Sequence, residues 1–188
     1  MRALLKGMRS LPIAARKCGF GIDAVTRAIS PEQMSGLNSI RNFLQLDDRL
    51  ATSGMPVPAD FNAMGQSGYE LVINLALPTS DNAMANEGDL VTRAGMTYIH
   101  IPVNFESPQS ADFERFANIM DLFAAQRIYV HCAANMRVSA FVFLHRVLRG
   151  EKSRADAEAD LKRIWDPDGV WRKFINDHLA AADQLPLP

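Results

Sequence analysis

The sequence predicts an α/β domain with a central, mainly parallel sheet of four or five strands that is flanked by helices. Short apolar segments alternate along the chain with helical segments, a pattern that is typical of parallel strands joined by crossover helices. The chain has 188 residues, of which 48% are hydrophobic and 22% are charged. This length and composition are ordinary for one globular domain with a single hydrophobic core.

Four short apolar segments are predicted to be strands. They cover residues 50–52, 71–77, 97–103 and 127–131. Continuous apolar segments of this length are typical of strands that are buried on both faces of a sheet. Pro78 ends the second strand, and the sequence Ser-Gly-Met-Pro at residues 53–56 predicts a turn after the first.

The segments between and after these strands are predicted to be helices. Residues 81–94 are polar enough to form an exposed helix that ends at Gly95. Ser110 is placed to cap a second helix, in which apolar side chains recur on one face. Three helices follow the last strand, over about residues 138–148, from Ser153 onwards, and over about residues 169–182. Trp165 and Trp171 lie near the junction of the last two helices, where they are expected to close the domain by packing.

The beginning of the sequence is more basic than the rest. Residues 1–30 contain six basic residues and one acid. We predict a basic N-terminal arm or helix over residues 1–36 and a compact domain over residues 37–188. The apolar residues 11–15 are too few for a secretory signal, and no other segment approaches the length of a membrane span.

Several classes of function and location are disfavoured by the composition. The net charge of -1 does not favour a nucleic acid partner. Cys18 and Cys132 are too few for the disulfide framework of a small secreted domain, which favours free thiols and a cytoplasmic location. His100, His145 and His178 lack the spacing of metal ligands, so we predict neither a metal nor a cofactor.

The strand predicted at residues 127–131 leads directly into Cys132, and the buried helix follows a few residues later. At the carboxyl end of a parallel strand, the first N–H groups of the next helix are unpaired. The N–H groups of residues 133–137 can therefore bind an anion, and the same field favours the thiolate of Cys132 over the thiol. Arg137 supplies a planar, permanently charged group for two oxygens of an oxyanion. Asn135 suits a turn that requires a positive φ.

This pattern predicts Cys132 as a nucleophile in an anion-binding loop formed by Ala133, Ala134, Asn135, Met136 and Arg137. A single buried cysteine is usually a core residue. A cysteine between a strand and a helix, followed five residues later by an arginine, is costly for packing alone and favours a functional role. Side chains alternate along a strand, so His131 should face away from Cys132 and serve as a structural hydrogen-bonding partner.

Residues 131–139, with the sequence His-Cys-Ala-Ala-Asn-Met-Arg-Val-Ser, resemble the signature loop of the protein tyrosine and dual-specificity phosphatase superfamily. That superfamily usually has five residues between cysteine and arginine and a glycine third after the cysteine, whereas this chain has four residues and Asn135. Ser139 lies at the spacing at which the family places a hydroxyl that helps the thiolate to leave. Residues 53–56, 72–75 and 101–103 resemble the bacterial branch that has shortened Cys-x4-Arg loops.

The resemblance implies a cysteine-phosphatase-like fold and the hydrolysis of a phosphate monoester, either a phosphorylated protein or a small phosphoester. In that mechanism the thiolate attacks phosphorus, a general acid protonates the leaving oxygen, and water cleaves the phosphocysteine. Asn104 stands where the family's aspartic acid is expected. Glu106, two residues further on, is therefore predicted as the acid, with Asp112 as the reserve.

Two other functions stay open at this point. The six residues from Cys132 to Arg137 also resemble the loop of rhodaneses, in which the cysteine of a sulfurtransferase carries a persulfide. With Asn104 in place of an acid and a contracted loop, the domain could instead be a pseudophosphatase that binds phosphorylated partners without hydrolysing them.

Overall fold

The computed structural model describes residues 36–150 and 152–188, so all but the last residue of the predicted basic arm lies outside the described residues. Within them, a five-stranded sheet is flanked by six helices. The predicted α/β fold class is confirmed. None of the described helices is both long enough and apolar enough to cross a membrane.

The three middle strands of the sheet are buried throughout. Its strands are β1 (Leu44–Gln45), β2 (Leu50–Ser53), β3 (Leu71–Asn74), β4 (Thr97–His100) and β5 (Ile128–His131), in the spatial order β1-β2-β5-β3-β4. Only the short β1 is antiparallel to its neighbour. The last residue of β5, His131, is paired with Ser53 on one side and Asn74 on the other. The carboxyl ends of β2, β5 and β3 therefore lie side by side.

Helices cover both faces of the sheet. They are α1 (Pro58–Gln66), α2 (Glu87–Arg93), α3 (Ser110–Leu122), α4 (Met136–Leu148), α5 (Arg154–Lys162) and α6 (Gly169–Ala181). The larger core packs α3, α4, α5 and α6 on one face, where Ile73 and Val130 point. The smaller core packs α1 and α2 on the other face, where Val72 and Tyr129 point. This alternation within β3 and β5 is the reason why their sequences are apolar throughout.

Three helices differ from the prediction at their first residue. Ser110 is itself the first residue of α3 and does not cap it, because the cap position belongs to Gln109. The helix after β3 begins at Glu87 and not near residue 81, because Asn82 has a left-handed φ of 64° and interrupts the backbone. The buried helix begins at Met136, two residues earlier than predicted. Ser153 caps α5 as predicted, since its Oγ accepts a hydrogen bond from the N–H of Asp156 at 3.1 Å.

A buried carboxylate joins α2 to the ends of two strands. Oε2 of Glu87 accepts a hydrogen bond from Nδ2 of Asn74 at 2.8 Å, and Oε1 lies 2.6 Å from Nε2 of His131. His131 is fully buried and its ring contacts Phe61 on the α1 side of the sheet, whereas Cys132 lies in the larger core. The prediction that His131 faces away from Cys132 and has a structural role agrees with this placement.

Tyr98 completes this buried polar group. Its Oη accepts a hydrogen bond from Nδ2 of Asn74 at 3.2 Å. Burial raises the pKa of Tyr98 to about 12, and the nearby charge of Glu87 acts in the same direction. Tyr98 is consequently a neutral phenol at physiological pH and places no second negative charge beside the carboxylate.

We expect Glu87→Ala to destabilise the domain by about 3 kcal/mol, because it leaves His131 and Asn74 buried without their shared acceptor. Glu87→Gln keeps one acceptor oxygen and should cost less. Urea denaturation measures both effects, and Glu114→Ala, which truncates an exposed glutamate of α3, serves as the control with a change within about 0.5 kcal/mol. Equal stability of Glu87→Ala and the unmodified protein would contradict this account.

Candidate active site

Cys132 lies at the carboxyl end of the central strand. It follows β5 directly, is 1% exposed, and its N–H donates a hydrogen bond to the carbonyl of Ser53 at 3.3 Å. The first residue of α4, Met136, comes four residues later. The chain therefore turns from a strand into a buried helix within the segment that we call the signature loop (residues 132–137).

Asn135 supplies the sharpest bend of the signature loop. Its φ is 65° and its side chain is fully buried. Nδ2 of Asn135 donates to the carbonyl of Asn42 at 2.7 Å and to Oγ1 of Thr52 at 3.0 Å. Asn42, which also has a positive φ, donates in return from its Nδ2 to the carbonyl of Ala134 at 2.9 Å. These two residues, Asn42 and Asn135, form a reciprocal asparagine clasp.

The turn after β2 holds the other side of the signature loop. The N–H of Met55 donates to the carbonyl of Ala133 at 3.3 Å, and Gly54 forms a bridge with Ala134. A Cβ added at Gly54 would lie 3.0 Å from the carbonyl oxygen of Arg41 and 3.1 Å from that of Ala133. The absence of a side chain at Gly54 thus permits this close approach of two backbones.

The carbonyls and the N–H groups of the signature loop are paired to different extents. Its carbonyls at Ala133 and Ala134 accept hydrogen bonds from Met55 and Asn42. In contrast, the N–H groups of residues 136–138, in the first turn of α4, donate to no acceptor among the described residues. Consecutive free donors at the N-terminus of a buried helix form an arrangement that is able to bind an anion.

Arg137 places a positive charge beside these donors. Its side chain is 7% exposed, and its guanidinium donates no hydrogen bond and forms no ion pair within the described part of the chain. Cζ of Arg137 lies 5.6 Å from the centroid of the Phe105 ring, on the loop that follows β4. A buried cation without a carboxylate partner is energetically costly unless an anion compensates it.

Ser139 lies one turn into α4, and its hydroxyl is held by two partners. Oγ donates to the carbonyl of Met136 at 3.0 Å and accepts a hydrogen bond from Nε1 of Trp165 at 3.2 Å. No hydrogen bond joins Ser139 to Cys132. Trp165 thus has a polar contact beside the signature loop in addition to its expected packing role.

The two predicted acids have different surroundings. Glu106 is exposed on the loop that contains Phe105, and its N–H donates to Oδ1 of Asn104 at 2.9 Å. Asn104 thereby shapes the loop that carries Glu106. Asp112 lies in the first turn of α3, where its carboxylate accepts a hydrogen bond from Arg115 at 2.6 Å. Of the two, only Glu106 is next to a residue that contacts Arg137.

Sequence reasoning missed two residues of this site, Asn42 and Phe105. Asn42 precedes β1 in a segment without periodicity, and Phe105 stands between Asn104, which occupies the position expected for the acid, and Glu106, the predicted acid. Their contacts with the signature loop join segments that are distant along the chain. Within the described residues, no group of three or more histidine, cysteine or acidic side chains could hold a metal ion.

We expect Asn135→Ala to be about 1 kcal/mol less stable than Asn135→Gly. Both substitutions remove the donor of the asparagine clasp, but alanine also bears the strain of the left-handed backbone, which costs roughly 1–2 kcal/mol and outweighs the entropy that glycine loses on folding. Chemical denaturation of both variants measures the difference. An alanine variant as stable as the glycine variant would show that φ at this position is not maintained.

Comparisons with known proteins show the family and the fold of this chain. Residues 43–173 match the family model described as "DSP-PTPase phosphatase fused to NAD+ Kinase". The solved structure of a DUF442 protein from Shewanella putrefaciens CN-32 is 33% identical with a TM-score of 0.71, and the match covers 79% of this chain and 98% of that one. The core catalytic domain of a PP-IP phosphatase from S. cerevisiae is 16% identical with a TM-score of 0.60, over 79% of this chain and 96% of that one. This second likeness shows the fold alone.

Curated relatives match over a shorter region. The beta-lactamase hydrolase-like proteins of Xylella fastidiosa strain Temecula1 and Agrobacterium fabrum are each 29% identical over 119 residues. These matches cover 62% and 61% of this chain but 27% of each relative, so the chain spans about a quarter of their length. The family model, in contrast, covers most of the described residues. The chain therefore belongs to the DSP-PTPase family of dual-specificity and protein tyrosine phosphatase domains.

Proposed function

We propose that this chain hydrolyses phosphate monoesters through a phosphocysteine on Cys132. One observation carries the proposal: the largely buried Arg137 has no anionic partner in the described part of the chain, its Nε donates no hydrogen bond, and it lies in the helix turn whose first backbone N–H groups are unpaired. A bound phosphoryl group would supply the missing charge and the missing acceptors together. Its phosphorus would then lie at the carboxyl end of β5, where Cys132 is located.

The first step forms a bond between Sγ of Cys132 and phosphorus. The thiolate attacks, the bond from phosphorus to the ester oxygen breaks, and its electron pair goes to that oxygen. This oxygen takes up a proton, and we assign the carboxyl group of Glu106 as its donor. The loop of Glu106 reaches the site through Phe105. The N–H groups of the signature loop and Arg137 stabilise the charge on the three remaining oxygens.

The second step releases phosphate and restores the thiolate. A water molecule loses a proton to the carboxylate of Glu106 and attacks phosphorus, and the bond between sulfur and phosphorus breaks with its electron pair on sulfur. Ser139 is assigned to stabilise this thiolate: its hydroxyl would turn its proton from the carbonyl of Met136 to Sγ, while Nε1 of Trp165 continues to donate to its Oγ. The substrate class is a phosphorylated protein or a small phosphoester.

We expect the purified protein to release p-nitrophenol from p-nitrophenyl phosphate, and Cys132→Ser to lower the rate by at least about 10³-fold. Cys132→Ser changes one atom, so an intact fold checked by circular dichroism assigns the loss to the nucleophile. Equal rates for the two proteins would refute the phosphocysteine route.

The same preparation separates the two alternative functions. Tungstate binding that is lost in Arg137→Ala, in a protein that hydrolyses no ester, would identify a phosphate-binding pseudophosphatase. A mass increase of one sulfur atom after incubation with thiosulfate, absent in Cys132→Ser, would identify a sulfurtransferase. Hydrolysis that depends on Cys132 excludes the first of these directly.

The role of Glu106 predicts a dependence on the leaving group. Glu106→Gln should lower kcat/KM for an alkyl phosphate by about 10²-fold, but only slightly for p-nitrophenyl phosphate, because p-nitrophenolate leaves without a proton. The test compares both substrates for this variant and for Asp112→Asn, with Glu114→Gln as the exposed control on α3. If Asp112→Asn shows the selective loss instead, the acid is Asp112.

A further inference from the structure

α4 contains two buried arginines whose charges are held in different ways. Arg146 is 1% exposed, and its guanidinium pairs with Asp160 at 2.9 Å and with Asp47 at 3.5 Å. Arg137 is nearly as buried but has no carboxylate partner among the described residues. The described contact of its guanidinium is with the ring of Phe105, at 5.6 Å from Cζ to the centroid.

Stacking and ion pairing have different consequences for a guanidinium. A carboxylate partner accepts hydrogen bonds in the plane of the group and neutralises the charge, so it competes with an incoming oxyanion. An aromatic ring attracts the cation through its face and leaves the N–H donors in the plane free. A ring can therefore hold an arginine in place before the oxyanion binds, without blocking the N–H groups that the arginine uses to bind the oxygens.

Phe105 is itself fixed on more than one side. Its carbonyl accepts a hydrogen bond from Nε1 of Trp171 at 2.8 Å, and Trp171 is 1% exposed at the start of α6. The centroid of the Phe105 ring lies 5.5 Å from that of Trp171 and 6.0 Å from that of Trp165. The backbone and the ring are thus both positioned by α6 and by the segment that joins α5 to α6.

We infer that Phe105 is a positioning residue that holds the guanidinium of Arg137 in its oxyanion-binding orientation, in the place where a carboxylate would otherwise be needed. The inference rests on the proposed function, since an oxyanion is the ligand of Arg137. Its consequence is that the aromatic face at residue 105 sets anion affinity, whereas apolar bulk at that position does not.

The test measures the dissociation constant of tungstate by calorimetry on the full chain in the Cys132→Ser background, where no phosphocysteine forms. Phe105→Leu keeps an apolar side chain but removes the ring, and should weaken binding by about tenfold. Phe105→Tyr keeps the ring, so its dissociation constant for tungstate should stay within about twofold of that of the Cys132→Ser protein. Phe105→Met is a second ringless variant that adapts to its surroundings, and its affinity should fall with that of Phe105→Leu.

Phe174→Leu is the matched control. Phe174 packs against Trp171 at 5.8 Å between centroids but has no contact with Arg137, so its loss should lower stability and leave tungstate affinity unchanged. Unchanged affinity in both ringless variants, or an equal loss in Phe105→Tyr, would overturn the inference while leaving the proposed function intact. If Cys132→Ser with Phe105 present binds no tungstate, the oxyanion site itself is refuted, and the inference with it.

Discussion

The left-handed turn at Asn135 is the constraint on which the rest of the site depends. A chain that leaves a central strand and enters a buried helix within four residues must bend sharply, and a non-glycine residue with φ of 65° needs support from its surroundings. The asparagine clasp provides it: Asn135 and Asn42 each donate to the other's segment. These bonds occupy carbonyls of the signature loop and leave the first N–H groups of α4 without a partner among the described residues.

The opposite face of the sheet supports the same loop from behind. Glu87 links His131, which immediately precedes Cys132, to Asn74 at the end of β3. The ends of two adjacent strands are therefore held in register by one buried carboxylate. Both supports use polar groups that are costly to bury alone and stable only when paired, so they resist small displacements of the loop.

The sequence predicted the path of the chain better than its long-range contacts. The passage from β5 through Cys132 into α4 could be predicted because the apolar pattern and the loop spacing are local. The start of α2 could not, because no apolar pattern marks the left-handed Asn82 and because Glu87 is buried through contacts with Asn74 and His131, which lie in two other segments. Asn42 and Phe105 were missed for the same reason: the hydrogen bond from Asn135 to Asn42 spans 93 positions, and no periodicity marks either residue.

The two arginines of α4 lie in different electrostatic surroundings. Arg146 lies near the C-terminus of the helix, where the helix dipole favours a cation, and two carboxylates pair with it. Arg137 lies in the first turn, where the same dipole disfavours a cation, and it has only an aromatic ring beside it. If Arg137 served stability alone, surroundings like those of Arg146, near the C-terminus of the helix and with a carboxylate partner, would be more favourable. In the proposed function, an anion bound at the helix N-terminus would relieve the unfavourable field at Arg137, so the electrostatic cost of the unbound site would become a source of its affinity.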